Sequence, residues 1–254
     1  MDRRRRAPLN HLEIDFPVAE FRSPVRLLLH AARLFVARFG AIAAFTLAVF
    51  LPGKLLLQAI CELFDISIGG ILSYVLLEVS DLVLGALAVP AVVYALVAAQ
   101  RTGRTPPLGE CFRWGRRQWS KTVWNRFKVE VTVMLWGALL VIPGVIAMVR
   151  LMFTDIVVAI EADLEPDPMG RSRSLAQGRR WRIFFVLAPL MLLDMAATFL
   201  ILDRIPDATG SRILFAAGDS VLNVMAQLTT VAALLMYQGL SVPGGKPRNY
   251  TRGA

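Results

Sequence analysis

The sequence predicts an all-α protein, a polytopic integral membrane bundle of six transmembrane helices with interfacial amphipathic helices at its edge. Three observations predict it. Hydrophobic residues make up 56% of the 254, above the ~45–50% apolar usage of ordinary globular chains. They come in runs that approach or exceed the ~18–20 residues needed to cross about 30 Å of hydrocarbon. Lys and Arg, finally, gather in a few segments between those runs, the asymmetry that sets orientation in a membrane.

The elements follow in order. Residues 1–22 carry arginines but no apolar run beside them, so they read as a basic cytoplasmic segment and not as a cleaved signal peptide. Ser23-Pro24 makes a good helix start. In the helix that follows, Arg26, His30 and Arg33 fall at i, i+4 and i+7 on an otherwise apolar cylinder, the pattern of an interfacial amphipathic helix. A first span covers 39–63, interrupted by Pro52-Gly53, and a second covers 71–99. Residues 100–128 read as a basic connection in which Trp114, Trp119 and Trp124 alternate with the charges. That mixture suits the headgroup region. A base-stacking surface is the alternative, and the membrane spans on both sides argue against it.

The apolar run 129–162 is too long for one span, since a straight helix of that length would measure about 50 Å. Divided at Pro143-Gly144, a pair suited to a turn, it gives spans 129–142 and 143–162. Charge selects this hairpin. Lys and Arg number eight in residues 1–38, eight in 100–128, five in 161–182 and three from 238 onward, against none in 62–70 and two in 203–212. Only the hairpin puts every rich segment on one side, the cytoplasmic one. Spans 181–203 and 212–237 complete a membrane domain over 23–240. The tail 241–254 is Pro/Gly-rich and polar, and is expected to be disordered.

Composition also excludes functions. The net charge of +9 is accounted for by the positive-inside pattern and by anionic headgroups as the partner, with no nucleic acid required. Cys61 and Cys111 have no metal-ligand spacing, and His11 and His30 both precede the first span. No metal site, catalytic triad or cofactor is expected from them. An oligomeric state is not readable.

The stretch IPGVIAMVRLMFTDIVVAIEADLEPDPMGRSRSLAQGRRW resembles the bacterial YciC-like (UPF0259) membrane proteins and the related membrane domain of some glycerophosphodiester phosphodiesterases. The shared elements are a Pro-Gly pair opening a short helix, here Pro143-Gly144, and a helix ending near an acidic residue, here Glu161. A surface helix follows with an Arg-Ser pair and a leucine, here Arg173, Ser174 and Leu175, and then an aromatic start to the next span, Trp181. The resemblance implies a six-helix protein of the bacterial inner membrane with both termini cytoplasmic, in a family largely without an established activity.

Ionisable residues inside spans cost some 2.5–3.5 kcal/mol each on insertion scales, so each requires a partner or a purpose. Helical rise places Arg150, Asp219 and Glu78 at one depth, with Lys54, Asp81 and Asp194 within about a turn of it. Arg150 is expected to pair with Asp219 or Glu78. Asp155 cannot serve it within the helix, because a five-residue offset turns it away, and is left without a partner. Asp219, Asn223 and Gln227 form a stripe at i, i+4 and i+8, as do Lys54, Gln58 and Glu62. Such stripes either hydrogen-bond within the bundle or line a polar cavity. The functional expectation is a non-enzymatic inner-membrane protein with an envelope- or lipid-related role. The alternative is a small transporter or channel-like protein using the polar layer.

Overall fold

The computed structural model describes residues 23–66, 70–161, 165–202 and 212–241. The expected N-terminal segment, most of the tail and the connection 203–211 lie outside them. The described residues form an all-α bundle: α1 Pro24–Ala37, α2 Phe39–Leu63, α3 Ile71–Thr102, α4 Leu108–Leu139, α5 Val141–Leu151, α6 Thr154–Glu161, α7 Pro168–Ala176, α8 Arg180–Leu202 and α9 Arg212–Ser241. Among the described residues five helices are long and apolar enough to cross a membrane: α2, α3, the α5–α6 pair taken together, α8 and α9.

Local chemistry sets the boundaries. Ser23 stands extended ahead of Pro24 at the first turn of α1, where a missing N–H costs nothing. The Ser73 hydroxyl donates to the Gly70 carbonyl, 2.8 Å, at the start of α3. At its far end Gly103 adopts φ 70° and its N–H closes on the Ala99 carbonyl, a left-handed stop that favours glycine. Asp167 caps α7 by accepting the Gly170 N–H at 3.0 Å. Helix α1 lies against α8 and α9 through Leu27, Ala31 and Phe35, one buried stripe at helical spacing.

Two expectations change here. Residues 100–128 are not a connection: from Leu108 onward they belong to α4, which runs on without a break to Leu139. Hydropathy locates where a helix becomes lipid-soluble, whereas no glycine or proline interrupts 116–136 to stop the helix itself. The apolar part of α4, from Val129 to Leu139, is only about 16 Å long by helical rise, half of a hydrocarbon layer. The expected span 129–142 is therefore the apolar end of one longer helix, Leu108–Leu139, which packs along α3. The turn of the hairpin is at Leu140, which is extended, and Pro143 and Gly144 lie in the first turn of α5. Gly144 lies close against α4, since a Cβ there would stand 2.7 Å from the Gly137 Cα.

The α5–α6 strand of the hairpin is broken at Met152-Phe153, between the two helices. Ser172 of α7, fully buried, repairs the break: its hydroxyl donates to the Arg150 carbonyl at 2.9 Å and accepts the Phe153 N–H at 3.1 Å. Of the expected motif on this helix, Leu175 is buried while Arg173 and Ser174 are exposed. Ser172→Ala is expected to lower stability by about 1–2 kcal/mol, the cost of orphaning buried backbone groups. Ser174→Ala should change it by less than about 0.5 kcal/mol. Thermal unfolding in detergent reads both. Beyond the break, α6 is buried from Thr154 through Ile160 except at Asp155, and it packs on α3, α4, α7 and α9.

Candidate functional site

Five charged residues of the interior form one connected layer, and its hub is Lys54. Helix α2 packs between α3 and α9, and Lys54 sits on its buried stripe with Phe50, Gln58 and Cys61. Its side chain is 1% exposed, and its Nζ lies 2.6 Å from Asp81 Oδ1 of α3 and 2.6 Å from Asp219 Oδ2 of α9. One positive charge thus holds two carboxylates from different helices as ion pairs. Gly53, next along the chain, lies close against the Leu84 side chain, which brings α2 and α3 near enough for the bridge.

The layer continues through α3 into α4 and α6. Arg126 Nη1 points at the Asp81 carbonyl at 3.5 Å, a weak contact, and its Nε reaches Asp155 Oδ2 at 2.9 Å. The guanidinium lies against Gly85, where a Cβ would come within 1.9 Å of Nη1. The order Asp219, Lys54, Asp81, Arg126, Asp155 thus stitches α9, α2, α3, α4 and α6. Glu78 stands one turn from Tyr74 on α3, and Glu130 one turn beyond Arg126 on α4.

The expected partner of Asp219 was Arg150, and the structure gives Lys54 in its place. Arg150 is half-buried, with its Nε enclosed and without a hydrogen-bond partner. It makes no ion pair among the described residues and serves the fold through its carbonyl. Asp155, to which the sequence assigns no partner, has Arg126. On α9 the polar stripe divides: Asp219 meets Lys54, Asn223 turns its amide to the Asp219 carbonyl at 3.1 Å, and Gln227 is buried with its side-chain oxygen unpartnered. Asp194 is apart from the layer, in a small apolar cavity between α8 and α9 with Leu190, Met225 and Leu228.

A second polar cluster ties α6, α7 and α9 at the end of the bundle where α3 terminates. Glu161 accepts the Tyr237 hydroxyl and the Arg171 Nε, the latter at 3.3 Å. Beside it Gln238 donates to Gln100 at 2.9 Å. Glu161, named from the family resemblance, has a definite place here as the anchor of the surface helix. Arg171, two residues before the expected Arg173, is its cation.

Helix α4 has two unlike faces. The inner one buries Cys111, Gly115, Gln118 and Thr122 and is pinned along α3 and α6. A Cβ on Gly115 would meet the Leu87 carbonyl at 2.5 Å, Trp119 Nε1 donates to the Val83 carbonyl at 3.0 Å, and Trp114 Nε1 donates to the Ala159 carbonyl at 3.2 Å. The outer face exposes Arg113, Arg116, Arg117, Lys121 and Lys128. Those cations stand level with apolar residues of α3, a helix long and apolar enough to span. Facing bare hydrocarbon they would cost on the order of 10 kcal/mol together on insertion scales.

Among the described residues no cluster of three or more His, Cys, Asp or Glu is placed to hold a metal ion, and both cysteines are buried free thiols. Comparison with protein-family models, with curated proteins and with solved structures gives no match to this chain.

Proposed function

We propose that the chain is a non-enzymatic, multi-pass protein of a bacterial inner membrane, of the YciC-like type, with cytoplasmic termini and an envelope- or lipid-related role. The observation that carries this reading is the layer centred on Lys54. Its strongest contacts are made between helices, and they join five of them through groups that serve one another. A layer of this kind holds a bundle together. It also weighs against a solute path through the centre, because the Lys54 ammonium is enclosed and engaged by both acids. No serine or cysteine in the layer stands beside a base to act as a nucleophile. The anionic partner belongs instead at the cationic surfaces, on α4 and at the start of α8.

Orientation is tested by single cysteines in a background lacking Cys61 and Cys111. Gly144 is unsuitable as a probe because a side chain there collides with Gly137, so the exposed Ile142 at the hairpin and Arg104 at the opposite end are used. A membrane-impermeant maleimide applied to spheroplasts should label Ile142→Cys at once and Arg104→Cys only after permeabilisation. The reverse pattern would overturn the assignment of the termini to the cytoplasm.

A further inference from the structure

The α5–α6 span is interrupted where its own sequence gives no reason for it. Residues 145–161, VIAMVRLMFTDIVVAIE, contain no glycine or proline, the residues that most often kink a long helix. Met152 itself keeps helical backbone angles, φ −54° and ψ −35°. The interruption comes from another element. The Ser172 hydroxyl of α7 accepts the Phe153 N–H and donates to the Arg150 carbonyl, two groups that a continuous helix would bond internally. A side chain inserted into the i→i−4 ladder is a sufficient cause of a kink. Thr154 completes the bend by donating its own hydroxyl to the Leu151 carbonyl at 2.7 Å.

The helix that carries this wedge is lightly held. Of the nine residues of α7, the buried ones are Ser172, Leu175 and Ala176. Its outer tie is the ion pair of Arg171 with Glu161, whose side chains stay 23% and 17% accessible. Behind α7 the chain turns at Gly178, φ 74°, a left-handed joint that glycine adopts without strain. Short segments with few buried contacts open at low free energy. Once α7 is away, the two groups it served need not stay orphaned. Helical geometry pairs the Phe153 N–H with the Val149 carbonyl and the Arg150 carbonyl with the Thr154 N–H. The span therefore has two complete ways to bond the same atoms. We infer that α7 is a latch: docked, its Ser172 holds the α5–α6 span bent, and withdrawn, it lets the span close into one continuous helix. Closure moves α6, and with it Asp155, relative to Arg126. The two-state element that links the surface helix to the interior ion pairs is then α6 itself.

The test is hydrogen exchange on the full chain in detergent, resolved to single amides by mass spectrometry. In Ser172→Ala the α7 amides are expected to exchange at least about tenfold faster, while the Phe153 amide stays as slow as in the wild type because the helix takes over its bond. A serine that only fills a local hydrogen bond gives the opposite pattern, fast exchange at Phe153 with α7 unchanged, and that result would overturn the latch. Arg171→Gln leaves Ser172 in place and should loosen α7 in the same way, with Arg171→Lys closer to the wild type. Spin labels at Arg104→Cys and Ser174→Cys, both exposed positions, read the movement in a background lacking Cys61 and Cys111. They should report one dominant distance in that background and a second population once Ser172→Ala or Arg171→Gln is added. An unchanged distance in both variants counts against the inference as decisively as the exchange pattern. Unfolding midpoints show which variants remain folded, and if Ser172→Ala does not, Arg171→Gln carries both readouts.

Discussion

Replacing Lys54 with methionine should lower the stability of the bundle by about 3–5 kcal/mol, the cost of removing one member of a buried charged group. Methionine keeps the length and apolar volume of the stem, so packing against Phe50 and α9 is nearly preserved and the loss is electrostatic. Asp81 and Asp219, each 2.6 Å from the ammonium in the native protein, would face one another with nothing between them. The triple variant Lys54→Met/Asp81→Asn/Asp219→Asn should recover much of the loss, because it removes the unpaired charges together. Thermal or denaturant unfolding in detergent, followed by tryptophan fluorescence, measures both. A single variant costing less than about 1 kcal/mol, or a triple variant weaker than the single, would refute the role given to Lys54.

The sequence exposes the depth of this layer better than its pairing. Lys54, Asp81 and Asp219 stand out because each interrupts an apolar run, and helical rise alone puts them near one level. Which acid meets which cation depends on α2 lying between α3 and α9, and no periodicity contains that fact. Arg150 illustrates the limit. Counting from Pro143-Gly144 gives it a suitable depth, but the chain turns at Leu140 and breaks at Met152-Phe153, so depth does not fix where its side chain goes. Arg126 is missed for a different reason. A run of basic residues with tryptophans reads as a loop by hydropathy, while the buried positions Gly115, Gln118 and Thr122 fall at i, i+3 and i+7, a helical pattern that was available. The same holds for Ser172. The resemblance draws attention to Arg173 and Ser174, yet Leu175 and Ala176 at i+3 and i+4 from Ser172 put that serine on the buried face.

Removing Asp155 should be the second large effect, about 2–4 kcal/mol for Asp155→Ala. The carboxylate stands on the otherwise buried α6 with Arg126 Nε at 2.9 Å, and its loss leaves a guanidinium held against Gly85 without its anion. Both side chains keep some accessibility, 26% for Arg126 and 21% for Asp155, which places the cost below that of Lys54. Arg126→Leu should cost a similar amount, and the double variant should be less destabilised than the sum by about 1–3 kcal/mol. Gly85 supplies an independent check. A methyl group there would occupy the position of Arg126 Nη1, so Gly85→Ala should weaken the wild type by displacing the guanidinium from Asp155. In the Arg126→Leu background, where that atom is gone, the same substitution should be close to neutral. If Gly85→Ala costs as much there as in the wild type, the close approach of α3 and α4 is a backbone contact, and Arg126 is not what the glycine accommodates. If the costs differ as expected, the small residue on α3 and the cation on α4 work as one unit, joining Lys54 on one side of α3 to Asp155 on the other.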